Sequence, residues 1–448
     1  MDVQDDGGMA SVVTQRSRPG ASDGVWRMYA RASVLLSVVL GFGLGAGLFA
    51  QRGRGDRVEL AWIVSAQVHG HAQLFGFAVL MVIGVALHFL PRLAGGSSVS
   101  WRSGSVALGL LVGGILLRTA AALILANSST PNRIEQLQCL LLAAIVLELA
   151  GVVTAGMAIG RALELGRSRR RDAFAAILPL GFIVIASLVL ALLIDISAAV
   201  RMIGAPFRAM LAREVELSQF LIQYGTLLAI SVAMSARLFP LYIRTPLISK
   251  NAVTIVAALL AGGLVAGGTG IWTASGRVEA AGRGLLCVAA MVAIWNLGLL
   301  RRRRPLPRQQ RPTIAEPLQW FVATAYGWLA VALITGWVGA LGAAGVVEAT
   351  VPTSMARHAF GAGFVTLLIL GVGQSLLPGF AKTTVRSTFL MWMLLVLGNI
   401  GALFRFVAAS GWVSEKPEDW LGGIAGVTGI AALLLFAWNC RIFQPTSS

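Results

Sequence analysis

The chain has 448 residues, of which 57% are hydrophobic and 12% charged, with a formal net charge of +17. A soluble domain carries about a quarter charged residues, so the composition excludes a string of water-soluble domains and describes a polytopic membrane protein. The positive charges lie in short segments between apolar runs rather than on an amphipathic face, which makes them topology signals and excludes a nucleic-acid partner. Membrane lipids are the expected surroundings.

Residues 1–28 are mostly polar, with no apolar core ahead of a small-residue cleavage site, and are expected to form a disordered cytoplasmic tail rather than a signal peptide. One integral membrane domain, residues 29–442, is expected to follow, closed by a short cytoplasmic tail at 443–448. The predicted fold is all-α. Apolar windows place twelve transmembrane helices near 30–50, 69–90, 104–126, 139–160, 174–197, 217–238, 252–272, 282–300, 320–342, 358–378, 388–409 and 420–440.

The connections after the even-numbered spans hold Arg92 and Arg102, then Arg167 and Arg169 to Arg171, then Arg244 and Lys250. Further on come Arg301 to Arg304 with Arg308 and Arg311, then Lys382 and Arg386. By the positive-inside rule both termini are cytoplasmic, and a multi-pass protein of a bacterial inner membrane is expected. Arg301 to Arg304 reads as an orientation and lipid-surface patch. Cys139, Cys287 and Cys440 fall within or at the ends of spans and no CxxC or CxxCH occurs. A disulfide framework, a thiolate zinc site and covalent c-type haem are therefore not expected.

The second span contains three of the chain's four histidines, and the fourth lies in a copy of it. HAQLFGFAVLMVIGVALHFLP (71–91) aligns without a gap to HAFGAGFVTLLILGVGQSLLP (358–378), a constant shift of 287 residues that sets His71 on His358, Gly76 on Gly363 and Pro91 on Pro378. A weaker copy at the sixth span sets Gly225 on Gly76 and Pro240 on Pro91, with Phe220 in place of the histidine. Spans two, six and ten then recur at 149 and 138 residues, about four helices each, which points to a pseudo-threefold array of four-helix units.

A neutral imidazole offers one lone pair to iron or copper, and a haem between helices needs two such ligands facing each other. The repeat makes His71 and His358 the expected pair, set at equal depth near the outer leaflet, with Gly70, Gly76, Gly361 and Gly363 beside them. Close packing of Gly-rich helices accounts for those glycines equally well. His69 is turned roughly 200° from His71, so it addresses the other side of the helix and is either a ligand of a neighbouring centre or an interfacial side chain. His88 is roughly 25 Å along the axis from His71, and belongs to a second metal site or to the headgroup region.

Arg118 and Glu148 fall mid-span, where a mutual ion pair is the natural remedy for buried charge. Gln73, Gln219, Gln223, Tyr224, Gln374 and Asn399 are candidates to line a polar pocket. Asp195, Arg201, Arg208 and Arg357 sit near the outer ends, and Arg357, next to His358, is the preferred partner for a haem propionate.

At HGHAQLFGF the second span resembles the NnrS family, whose second helix carries a His-x-His before a Leu-Phe-Gly-Phe stretch and whose late helix begins with a His-Ala pair like that at His358. The resemblance covers roughly residues 30–440. It implies twelve helices, haem b and copper as cofactors, a role in nitric oxide metabolism or resistance to nitrosative stress, and His69, His71 and His358 as metal-binding positions. Ala72 departs from the acid that often follows the His-x-His.

The architecture also resembles subunit I of haem–copper oxidases, in which low-spin haem ligands lie on the second and tenth helices. Spans six and seven here hold none of the histidines that a complete oxidase centre needs. A reduced, quinol-linked redox relative of that subunit and a repeat-built transporter are the alternative expectations.

Overall fold

The computed structural model describes residues 24–53, 59–95, 97–164, 176–300, 315–412 and 414–444. Most of the expected N-terminal tail, Arg167, Arg169 to Arg171, Arg301 to Arg304, Arg308, Arg311 and residues 445–448 lie outside the described residues.

Apolar runs of this length must satisfy their backbone polar groups internally, and only a helix does so within one segment. Twelve such helices are present among the described residues, and no strand. They are α1 (Val25–Ala50), α2 (Leu60–Leu93), α3 (Trp101–Ala126), α4 (Pro131–Leu163), α5 (Leu178–Met202) and α6 (Ala212–Tyr242). Then follow α7 (Lys250–Thr273), α8 (Gly276–Asn296), α9 (Glu316–Ala343), α10 (Thr353–Phe380), α11 (Thr388–Ala408) and α12 (Lys416–Asn439). Serine caps start two of them. Ser100 Oγ accepts from Ser103 N at 3.1 Å before α3, and Ser249 Oγ accepts from Ala252 N at 3.2 Å before α7.

The helices form a pseudo-threefold array. In their most apolar stretches α2, α6 and α10 are 67, 78 and 72% buried, against 28–44% for the other nine, so these three form the centre. Around them α3 pairs with α4, α7 with α8 and α11 with α12, while α1, α5 and α9 wedge between each outer pair and the next central helix.

Each central helix carries a π-helical segment, Ala72–Val79, Leu221–Leu228 and Ala359–Val365. A π turn holds one extra residue and shifts the facing of everything beyond it. The three segments begin at positions related by the repeat and touch one another pairwise. Toward the other end Pro91, Pro240 and Pro378 each stand two residues before the helix stops, at Leu93, Tyr242 and Phe380. The copy at the sixth span, the fainter one in sequence, is therefore a full structural member. A further π segment, Ser37–Gly43, lies in α1.

Small residues let the surrounding helices close in. A Cβ on Gly225 would lie 2.1 Å from Ser187 Oγ, and one on Gly363 would lie 2.5 Å from Trp328 Cγ, so α5 and α9 approach the centre where only glycine fits.

Candidate cofactor site between the second and tenth helices

Three clefts separate the central helices, and they are filled differently. Between α10 and α2 lies a cavity of about 400 Å³, against about 40 Å³ between α2 and α6 and about 10 Å³ between α6 and α10. Only the first has the size of a small-molecule or cofactor pocket, typically about 300–1,000 Å³.

His69 and His358 both line this cavity. Their ring centres are 6.4 Å apart and their planes inclined by 23°. The Nδ1 of His69 is 2.9 Å from the Gly41 carbonyl and that of His358 is 2.6 Å from the Ser354 carbonyl. A carbonyl only accepts, so each Nδ1 carries the hydrogen and donates, leaving Nε2 as the lone-pair nitrogen. Metal-binding histidines are anchored in this way. Two metal–nitrogen bonds of about 2 Å in line, with a ring centre roughly 1 Å behind each nitrogen, separate two imidazole centres by about 6 Å. The observed ring separation is close to that value.

The walls fit a flat group with acidic edges. A Cβ on Gly361 would meet nothing within 4 Å, whereas one on Gly45 would lie 2.9 Å from His69 Cε1, so glycine on α1 makes room for the imidazole itself. Phe42, Phe49 and Phe77 supply apolar wall, and Arg357 and Arg405 supply cations. The guanidinium of Arg405 lies 4.9 Å above the Phe49 ring, while Arg357 Nη2 is 3.5 Å from Glu216 Oε1. Among the described residues no group of three or more His, Cys, Asp or Glu is placed to hold a metal ion. A haem brings its own equatorial nitrogens and asks the protein only for axial ligands, so the two histidines suffice for it more readily than for copper.

The pair expected from the repeat, His71 with His358, is corrected here, because His71 opens on the α2/α6 cleft. Its Nε2 is 2.9 Å from Glu148 Oε1 and its ring stacks on Phe75 at 5.1 Å. Arg118 Nη1 reaches Glu148 Oε2 at 3.3 Å and Asp195 Oδ2 at 2.8 Å. The expected Arg118–Glu148 pair thus exists, as part of a four-membered cluster that also takes Asp195.

The reason for the different pairing is rotational. In a cyclic arrangement of repeats, equivalent residues face successive interfaces rather than one shared interface. His358, His71 and Phe220 therefore look into three different clefts, where each meets a residue equivalent to His69 on the neighbouring helix: His69 itself, Ser218 and Ala356 respectively.

The third cleft is closed by Arg283, which takes Glu279 Oε1 at 2.7 Å from Nε and lies over the Phe220 ring at 5.5 Å. His88 is in none of the clefts and packs against Phe380 and Trp26, with ring centres 4.2 and 6.3 Å away. Of the expected polar lining residues, Gln73, Gln219 and Gln223 border the main cavity and Tyr224 the third cleft. Gln374 Oε1 accepts from Asn439 at 2.8 Å, and Asn399 Oδ1 accepts from Trp328 Nε1 at 3.1 Å. Arg201 is bound to Glu214. Arg405 was not anticipated. It is the sole charged residue of α11, and a lone intramembrane cation is the signal that marks it.

The model of the NnrS protein family matches residues 27–443. The chain belongs to the NnrS family. No curated protein matches it in sequence. A cryo-EM structure of a heme–copper terminal oxidase dimer superposes on it with a TM-score of 0.66 at 12% identity, covering 96% of this chain and 86% of that one. At that identity the likeness is one of fold.

Proposed function

We propose that this membrane protein holds a b-type haem between His69 and His358 and serves nitric oxide metabolism or resistance to nitrosative stress in a bacterial inner membrane. The observation that carries the proposal is the anchored, near-parallel histidine pair in the one cleft with room for a cofactor. Membership of the NnrS family supports the nitric oxide role.

When bound, haem supplies an iron that exchanges single electrons and takes diatomic ligands. His69 and His358 offer one nitrogen each, and the hydrogen bonds to Gly41 and Ser354 hold the tautomer and make those nitrogens better donors. Arg357 and Arg405 line the cavity together with Glu418, and would set positive charge beside carboxylates entering it. Phe42, Phe49 and Phe77 keep water from the histidines. Copper on the same two nitrogens is the companion reading implied by the resemblance.

A second functional reading, a quinol-linked electron carrier, is favoured by one feature: two histidines border the same cavity and would both hold a haem bound there, as in centres that pass electrons rather than bind gas. The test is a reduced-minus-oxidised optical spectrum of the purified full chain, with metal analysis for copper. A b-type signal that vanishes in His69→Ala and in His358→Ala but survives in His71→Ala is the expected outcome. A fully inserted protein without colour defeats both haem readings, and nitric oxide added to the reduced form separates gas binding from electron transfer alone.

A further inference from the structure

A second, apolar space lies on the pseudo-threefold axis, between the π segments and the three prolines. It has a volume of about 110 Å³, and eighteen of its nineteen lining residues fall into six sets of repeat-equivalent positions, one residue each from α2, α6 and α10. Met81, Ile230 and Leu368 form the set nearest the π segments, and Leu90, Phe239 and Leu377 the set nearest the prolines. The nineteenth is Phe436 from α12.

The chamber is hydrocarbon throughout except for Ser231 and Ser235, and the Ser235 hydroxyl accepts from Tyr326 Oη at 2.8 Å. A buried water needs two to four polar partners, and cavities without them stay dry and take up apolar atoms such as xenon. Drug-sized molecules need roughly 300 Å³ or more, so a quinone or an acyl chain is too large and a diatomic gas fits.

Position adds a use. On α2, Ala78 borders the histidine cavity and Met81, three residues on, borders the chamber; on α10, Thr366 and Leu368 do the same. We propose that the chamber is a binding site for small neutral apolar gases, placed to pass them to the His69–His358 cavity. The delivery half rests on the haem reading above, and the binding half does not.

Xenon is the probe for the binding half. In crystals of the full chain under xenon pressure, an anomalous peak inside the Met81, Ile230 and Leu368 ring is expected. The peak should disappear in Ala86→Phe, which fills the chamber, and strengthen in Met234→Ala, which widens it. Ser231→Leu fills the same space should Ala86→Phe fail to fold. Ordered water or an acyl chain in the chamber, or xenon confined to the lipid belt, overturns the proposal.

For delivery, nitric oxide rebinding after photolysis of haem-loaded protein should slow in the filled variants while the absorption spectrum is unchanged; equal rates overturn it. A protein that takes no haem defeats the reading of the histidine pair, and the xenon result still decides the chamber.

Discussion

At the scale of single residues, the contrast between His69 and His71 carries the most information. The two imidazoles are separated by one residue, Gly70, yet one is tied through Nδ1 to a carbonyl and the other through Nε2 to a carboxylate. Each imidazole therefore keeps one nitrogen free of that bond, and the two differ in what they border: His69 the large cavity between α10 and α2, His71 the narrow cleft between α2 and α6. Replacing Glu148 by alanine should therefore leave any haem signal in place while destabilising the protein by about 3–5 kcal/mol, because Arg118 loses one of two buried counter-charges. A lowered thermal unfolding midpoint in detergent with the haem content unchanged is the expected measurement. Conversely, Gly45→Val should lower haem content with little effect on insertion, since its Cβ would lie 2.9 Å from His69 Cε1. An unchanged haem-to-protein ratio in that variant would show that the imidazole can yield.

At the scale of elements, three central helices with one pattern give three clefts with different contents. His358 meets His69, His71 meets Ser218, and Phe220 meets Ala356. It follows that Ser218→His would place a histidine pair in the α2/α6 cleft, which Arg118 and Asp195 help to line and whose volume is about 40 Å³. We expect no second haem in that variant, as read from the haem-to-protein ratio. A doubled ratio would mean that the histidine pair alone selects the cofactor and that cleft volume does not.

Here the sequence was legible in one respect and misleading in another. The repeat shift was exact, and the twelve spans emerged from apolar run length because hydrocarbon demands it. Repeat alignment, however, pairs residues that symmetry turns apart, so His71 was matched with the histidine it does not face. Helix ends differ too: α10 begins at Thr353 rather than near 358, because Thr353, Ser354 and Arg357 are polar and an apolar window passes over them. The ion pair of Asp195 with Arg118, and Arg405 altogether, were not legible either. Their roles depend on which helices stand opposite, and a single span does not record that.

At the scale of the whole molecule, an even number of spans puts both termini on one side, and the arginine-bearing connections share that side. We propose, from the positive-inside rule, that this side is the cytoplasm. A fluorescent protein fused at the C-terminus should fold and fluoresce, and alkaline phosphatase fused between α9 and α10 should be active; the opposite pattern would invert the molecule. In the expected orientation the histidine cavity opens toward the outer half of the membrane and the apolar chamber lies in the inner half. The NnrS match covers residues 27–443, and the oxidase likeness 96% of the chain.

The π segments also bear on how the chain arose. One extra residue sits at the same register in α2, α6 and α10, ahead of prolines that also coincide. Three separate insertions would have to agree to the residue, whereas a single insertion in an ancestral four-helix unit, copied twice, requires one event. The side chains beside that register do not agree: histidine, phenylalanine and histidine at one position, and histidine, serine and alanine at the other. The three central helices thus share one backbone feature, and the clefts differ through the side chains set beside it.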